Sequence, residues 1–160
     1  MAVDVRRAGP DDWPSARAVR LAALADAPAA FGSTHGREVR FEEAEWRNRI
    51  ANSAWFLAWL DGDPVGLVVG IADEAAPAER HVVSMWVRTD VRGTDAAPAL
   101  VCAVREWART QGADCLTLWV ADGNDRARRF YQGIGFRTTC QRQPLPSNPA
   151  VGEKKLRLQL

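Results

Sequence analysis

Two stretches of this 160-residue chain hold residues whose type and spacing suit chemistry. Residues 124–136 read N-D-R-A-R-R-F-Y-Q-G-I-G-F. Phe130 and Ile134 are four apart and share a helix face, so Tyr131 points off that stripe. An ordinary phenol, with a pKa near ~10, is a protonated donor at neutral pH. The plain alternative is an amphipathic helix with a buried tyrosine. The second stretch, residues 88–97, lies where an apolar strand passes into a helix and holds Arg88, Arg92, Gly93 and Asp95. Amides at a helix N-terminus lack intrahelical partners and, with the helix dipole, favour an anion.

The elements that must position these groups follow from pattern. Asn124 caps a helix opened by Asp125, Arg126 and Ala127, and Gly133 and Gly135 end it. A strand is expected at residues 3–7, then a helix capped by Asp11 with Pro14 in its first turn and ending near Pro28. Residues 41–50 predict a second helix, rich in Glu early and Arg late. Alternation predicts strands at 55–60 and 65–71 around the turn 61–64, and another at 82–87. Leu100, Ala103, Val104 and Trp107 mark a helix over about 95–111. Strands follow at 116–120, 136–141 and 155–160, the last two joined by a Pro-rich loop at 144–149. The order β-α-α-β-β-β-α-β-α-β-β predicts an α/β fold, a mixed sheet with helices on both faces, in one domain over 1–160. The strands at 82–87 and 116–120 should be parallel neighbours.

Composition narrows the function classes. The chain is 47% hydrophobic and 26% charged, as a soluble domain is. A net charge of +1 gives no reason to expect nucleic acid. No apolar run reaches membrane-spanning length and the first residues lack signal-peptide character, so the expectation is a cytoplasmic protein with no membrane partner. Cys102, Cys115 and Cys140 have no metal-binding spacing, and with only His35 and His81 beside them no metal site is expected. Cys102 and Cys115 are expected to be buried thiols, and Trp55, Trp59, Trp86 and Trp119 to lie in the core.

The Tyr-x-x-x-Gly-Phe element, the loop before residue 97 and the order of elements resemble the GNAT acyltransferase superfamily over nearly the whole chain. The resemblance implies a GNAT-like fold and direct acyl transfer from acetyl-coenzyme A to a small-molecule or protein amine. It makes Tyr131 the donor to the departing sulfur. It places Met85, Trp86 and Val87 on a splayed strand along the pantetheine arm, with a main-chain N–H for the thioester oxygen. Asn124 and Ala127 would also border the coenzyme. The family's loop pattern, Arg/Gln-x-x-Gly-x-Gly/Ala, falls on Arg92, Gly93, Thr94, Asp95, Ala96 and Ala97. Asp95 replaces the central glycine, adding a Cβ and a negative charge where pyrophosphate is expected. Asp95 is equally a good helix cap.

Glu153, opening the last strand after the Pro-rich loop, is a candidate general base. The plain alternative is a solvated carboxylate beside Lys154 and Lys155, and Ser84 and Glu79 are rivals. His81 reads as a strand-edge surface residue. Phe31, Ser33 and Thr34 occupy the segment that lids the acceptor in the family, or an ordinary loop. The last strand reads as near a sheet edge, which makes a homodimer possible. Asp95 leaves open a GNAT-fold protein with lost or altered acetyl-coenzyme A use, acting as a ligand-binding or interaction module or through Tyr131 in other acid–base chemistry.

Overall fold

The computed structural model describes residues 2–160. Seven strands form one sheet: β1 (Asp4–Arg7), β2 (Ala54–Leu60), β3 (Asp63–Ala72), β4 (Glu79–Val87), β5 (Cys115–Ala121), β6 (Arg137–Leu145) and β7 (Asn148–Gln159). The helices are α1 (Trp13–Asp26), α2 (His35–Glu38), α3 (Glu43–Asn52), α4 (Ala96–Thr110) and α5 (Asp125–Gly133). The spatial order is β1-β2-β3-β4-β5-β7-β6. Among these neighbours β4 and β5 alone run parallel, and α4 is their crossover, as parallel strands require.

The strands at the centre are apolar because both faces are covered. Under α4 and α5, Leu100, Val104 and Ala108 pack on Ala58, Val68 and Leu116. Under α1 and α3, Val19, Leu24, Trp46 and Ile50 pack on Trp55, Leu57 and Leu67. Helix α4 sits so close that a Cβ on Gly70 would run into the Trp107 ring.

Two irregularities of β4 matter for function. Leu67 pairs with Trp86 but Val69 pairs with Val83, so Ser84 and Met85 together oppose one residue. This is a β-bulge, and Ser84 takes φ 60°, left-handed backbone that a serine rarely adopts. Next, β4 and β5 are paired only from Glu79–His81 to Cys115–Thr117. Beyond that point the strands part, and the β5-facing main-chain groups of the later half of β4 are left free.

Several expectations are corrected. A short helix, α2, stands between the two expected ones, and α3 starts at Glu43 rather than 41. Residue 12, not 11, precedes α1; Asp11 instead pairs with Arg47 at 2.7 Å. The Pro-rich loop is the tip of a tight hairpin, with Leu145 paired to Asn148. Pro144 is tolerated because β6 is an edge strand with one side unpaired, Pro146 lies in the turn, and Pro149 lies on the start of β7, before its pairing with β5 begins at Glu153. The last strand is therefore no edge: β7 lies between β5 and β6, which removes the ground on which a homodimer was expected. Cys102 is exposed, on the outer side of α4, whereas Cys115 is buried as expected. Trp55 and Trp86 are core residues, while Trp59 and Trp119 are half-buried.

Candidate active site

The parting of β4 and β5 opens a cleft of about 460 Å³. One wall is the end of β4, with Met85, Trp86 and Val87; the others are the loop Arg92, Gly93, Thr94 with Ala97, and helix α5 with Asn124, Ala127, Phe130 and Tyr131. Phe31 also lines it. The fold thus brings together residues read from three separate stretches of sequence.

The loop is fixed through a carboxylate the sequence did not single out, Asp26. The Asp26 carboxylate accepts from Trp86 Nε1 at 3.0 Å and from Arg92 Nη2 at 2.7 Å. These two hydrogen bonds hold its carboxyl below the usual carboxylate range. Arg92 Nε also donates to the Val87 carbonyl at 3.0 Å. Arg92 is thus a strut between α1, β4 and the loop. Gly93 takes φ 80°, and a Cβ there would point into open space. Among the described residues, the amides of Gly93, Thr94, Asp95 and Ala97 have no main-chain or side-chain acceptor. They open onto the N-terminus of a 15-residue helix, an arrangement suited to an anion.

Asp95 behaves as neither sequence reading expects. It holds the cap position of α4 but its side chain makes no capping bond. Thr94 does that work instead: its hydroxyl accepts from Ala96 N at 3.3 Å and donates to the Val91 carbonyl at 2.6 Å. Asp95 is exposed, Ala96 is buried, and neither lines the cleft.

Asn124 caps α5 as expected, accepting from Ala127 N at 3.3 Å. Tyr131 is not off the packed face. It is 7% exposed, with its ring edge-on to Phe130 and Phe136. Its hydroxyl has no hydrogen-bond partner among the described residues, and the side chain borders the cleft. Burial raises the phenol's pKa above its ordinary value, so it stays a proton donor.

A narrower slot of about 100 Å³ continues the cleft across the sheet, sharing Tyr131, Met85 and Phe31 with it. Its far wall is Trp119, which also borders a groove of about 560 Å³ on the face beside α1. That groove is lined by Asp73, Glu74, Glu79, His81, Thr117, Gln143 and Lys155. Glu79 pairs with Lys155 at 3.4 Å. His81 is no edge residue: it is half-buried on the central strand, with Nδ1 2.7 Å from Thr117 Oγ1. Burial, reinforced by Lys155, lowers its pKa to about 4.

Glu153 lies inside β7, not at its start, and is 6% exposed rather than solvated. Gln143 Nε2 donates to it at 2.6 Å. Its other cross-strand partner, Ala121, lines the slot, so Glu153 sits between slot and groove while lining neither. Ser33 and Thr34 stay outside the cleft, Thr34 as the cap of α2, accepting from Arg37 N at 3.2 Å. Sequence reading missed Arg20 and Glu38, a buried pair bonded at 3.0 and 2.9 Å. The available signal was an arginine inside the apolar run 19–24.

A mixed seven-stranded sheet with a bulged β4 that parts from β5, and a helix N-terminus facing the gap, defines an α/β fold built around an inter-strand cleft. Residues 20–136 match the Acetyltransferase (GNAT) family, and the chain belongs to it. An uncharacterized N-acetyltransferase of Methanocaldococcus jannaschii is 28% identical over 96 residues, 58% of this chain and 42% of that protein. The chain thus spans well under half of that relative. Among solved structures, a GNAT-family acetyltransferase from Streptococcus pneumoniae superposes with a TM-score of 0.80 at 20% identity, over 99% of this chain and 100% of that one. A putative acetyltransferase from Salmonella typhimurium, solved with acetyl-CoA, gives 0.76 at 15% identity, over 100% and 95%.

Proposed function

We infer that this chain is an N-acetyltransferase moving an acetyl group from acetyl-coenzyme A to a primary amine by direct attack. The observation that carries this is the cleft itself: free amides at one end and an unbonded, buried phenol at the other. The amides of Gly93, Thr94 and Ala97, which border the cleft, would bind the pyrophosphate. The free edge of Met85, Trp86 and Val87 would pair with the pantetheine arm and hold the thioester oxygen as charge develops on it. Tyr131 would give its proton to the departing sulfur. The Asp95 carboxylate, exposed and outside the cleft, does not oppose this reading.

The acceptor would enter from the groove and pass Trp119 into the slot. Asp73, Glu74 and Glu79 against Lys155 favour a cationic amine there. An alkyl amine with a pKa near ~10.4 must lose a proton to attack. Glu153 is assigned as the relay, through water. Ser84 Oγ accepts from the buried Arg20 and Glu79 is charge-paired with Lys155, whereas Glu153 is held by the neutral Gln143 side chain.

The test is calorimetry of coenzyme A with the purified chain, then acetyl-coenzyme A with a panel of primary amines and assay of released thiol. Coenzyme binding with amine-dependent thiol release is expected. A protein that binds no coenzyme A at saturating concentration does not carry this activity.

A further inference from the structure

The bulge in β4 sets which way each later residue faces. Val82 packs under α4, so in an unbroken strand Met85 would face α1 and Trp86 would face α4. The reverse is observed: Trp86 reaches Asp26 at the end of α1, while Met85 and Val87 pack on the α4 side and border the cleft. The extra residue, Ser84, resets the alternation. It does so at φ 60°, a conformation a serine holds only when its surroundings impose it.

One side chain is placed to impose it. Arg20 of α1 donates from Nη1 to Ser84 Oγ at 3.0 Å. Arg20 is itself 5% exposed and doubly bonded to Glu38, which is 1% exposed and is also held by Arg49 at 2.9 Å. The Arg20 guanidinium also lies over the Phe31 ring, 5.1 Å from its centroid. A buried, charge-assisted anchor of this kind is rigid.

We propose that Arg20, held by Glu38, is a positioning residue for acyl transfer: it fixes the Ser84 bulge and so turns Met85 and Val87 toward the cleft. This rests on the acetyl-coenzyme A reading above. Arg20 touches no reacting atom; it acts through Ser84.

Ser84 is the place to test it, because its replacement leaves the Arg20–Glu38 pair intact. Ser84→Ala removes the anchor and keeps the backbone penalty. Ser84→Gly also removes the anchor but takes a positive φ unaided. Met85 is one of two methionines in the chain, so its methyl gives a resolvable NMR signal in methyl-labelled protein. Ser84→Ala should displace or split the Met85 signal and weaken coenzyme A binding by about tenfold. Ser84→Gly should keep the parental signal and stay within about threefold of parental affinity. Parental signal or parental affinity in Ser84→Ala overturns the proposal, as does equal damage in both variants. The coenzyme reading fails separately: the Met85 signal of the parent would then stay put under saturating coenzyme A, while the ligand-free spectra still judge the hold on the bulge.

Discussion

The two sides of the β4–β5 opening are made of different material. The proposed coenzyme side is main chain: free amides before α4 and the unpaired edge of β4. The proposed acceptor side is side chain: Trp119, His81, Gln143, Glu153 and the carboxylates of the groove. A main-chain site tolerates substitution wherever the new side chain points outward, which is how Asp95 is accommodated. A side-chain site changes its ligand with each substitution. One side is therefore expected to keep its ligand and the other to set the particular amine.

The sharpest way to break this division is at the boundary, where Tyr131 lines both the cleft and the slot. Tyr131→Phe keeps the edge-on packing with Phe130 and Phe136 and removes only the hydroxyl. It is expected to lower kcat by ~10²–10⁴ with little change in coenzyme affinity. An unchanged kcat with a true acceptor would return Tyr131 to a packing role.

The next effect belongs to the acceptor side and needs no substrate. His81 is held neutral in the fold, its pKa lowered to about 4 chiefly by burial. Its unfolded value is ~6.5, so between the two values the unfolded chain binds the extra proton. Stability is then present above ~6.5 and lost as pH falls toward the folded value, by about 2 kcal/mol after allowance for partial exposure. Melting temperatures of the parent and His81→Gln across this window check it. The acid slope should be shallower in the variant, and parallel curves would remove His81 as its source.

The same division explains what was legible in the sequence. The order of elements, the Asn124 cap and the Tyr131 helix follow from local periodicity and capping, which act within a few residues. Met85, Trp86 and Val87 are named through the resemblance to the GNAT superfamily, whereas the loop at 88–97 stands out because a strand running into a helix start leaves amides free. The groove was not found, because it joins β3, β4, β5, β6 and β7 through register alone. His81 reads as a strand-edge surface residue, and Glu153 as a candidate base or a solvated carboxylate, since neither sequence neighbourhood reveals a covering strand. The 144–149 prolines suggested a loop, and they stay in a hairpin because β6 is an edge and β7 has no second strand partner before Glu153.

Glu153 probes the acceptor side more gently. Glu153→Gln keeps the shape beside Gln143 and removes the charge. It is expected to raise KM for a cationic acceptor by about tenfold and move the pH–rate profile to higher pH. Steady-state rates against pH for both forms decide it. Identical profiles would leave Glu153 as a buried partner of Gln143 and nothing more.

The smallest effect is expected at Asp95, and it bears most directly on the main-chain side. On sequence alone, the carboxylate stands where a glycine would meet pyrophosphate, so Asp95→Gly should tighten coenzyme binding by about tenfold or more. The structure leads to a different expectation. Asp95 is exposed, makes no cap bond and does not line the cleft. A solvated carboxylate facing away acts only through water, and at ~0.15 M salt the Debye length of about 8 Å screens most of what is left. Thr94, which bonds Ala96 N, keeps the helix start in place when Asp95 is replaced. Asp95→Gly is therefore expected to change coenzyme A affinity by less than about threefold at ~0.15 M salt, with a somewhat larger gain at low salt. Calorimetry at two ionic strengths measures both. A salt-insensitive gain of about tenfold would mean that the carboxylate reaches the phosphates, and that side chains as well as amides set affinity on this side.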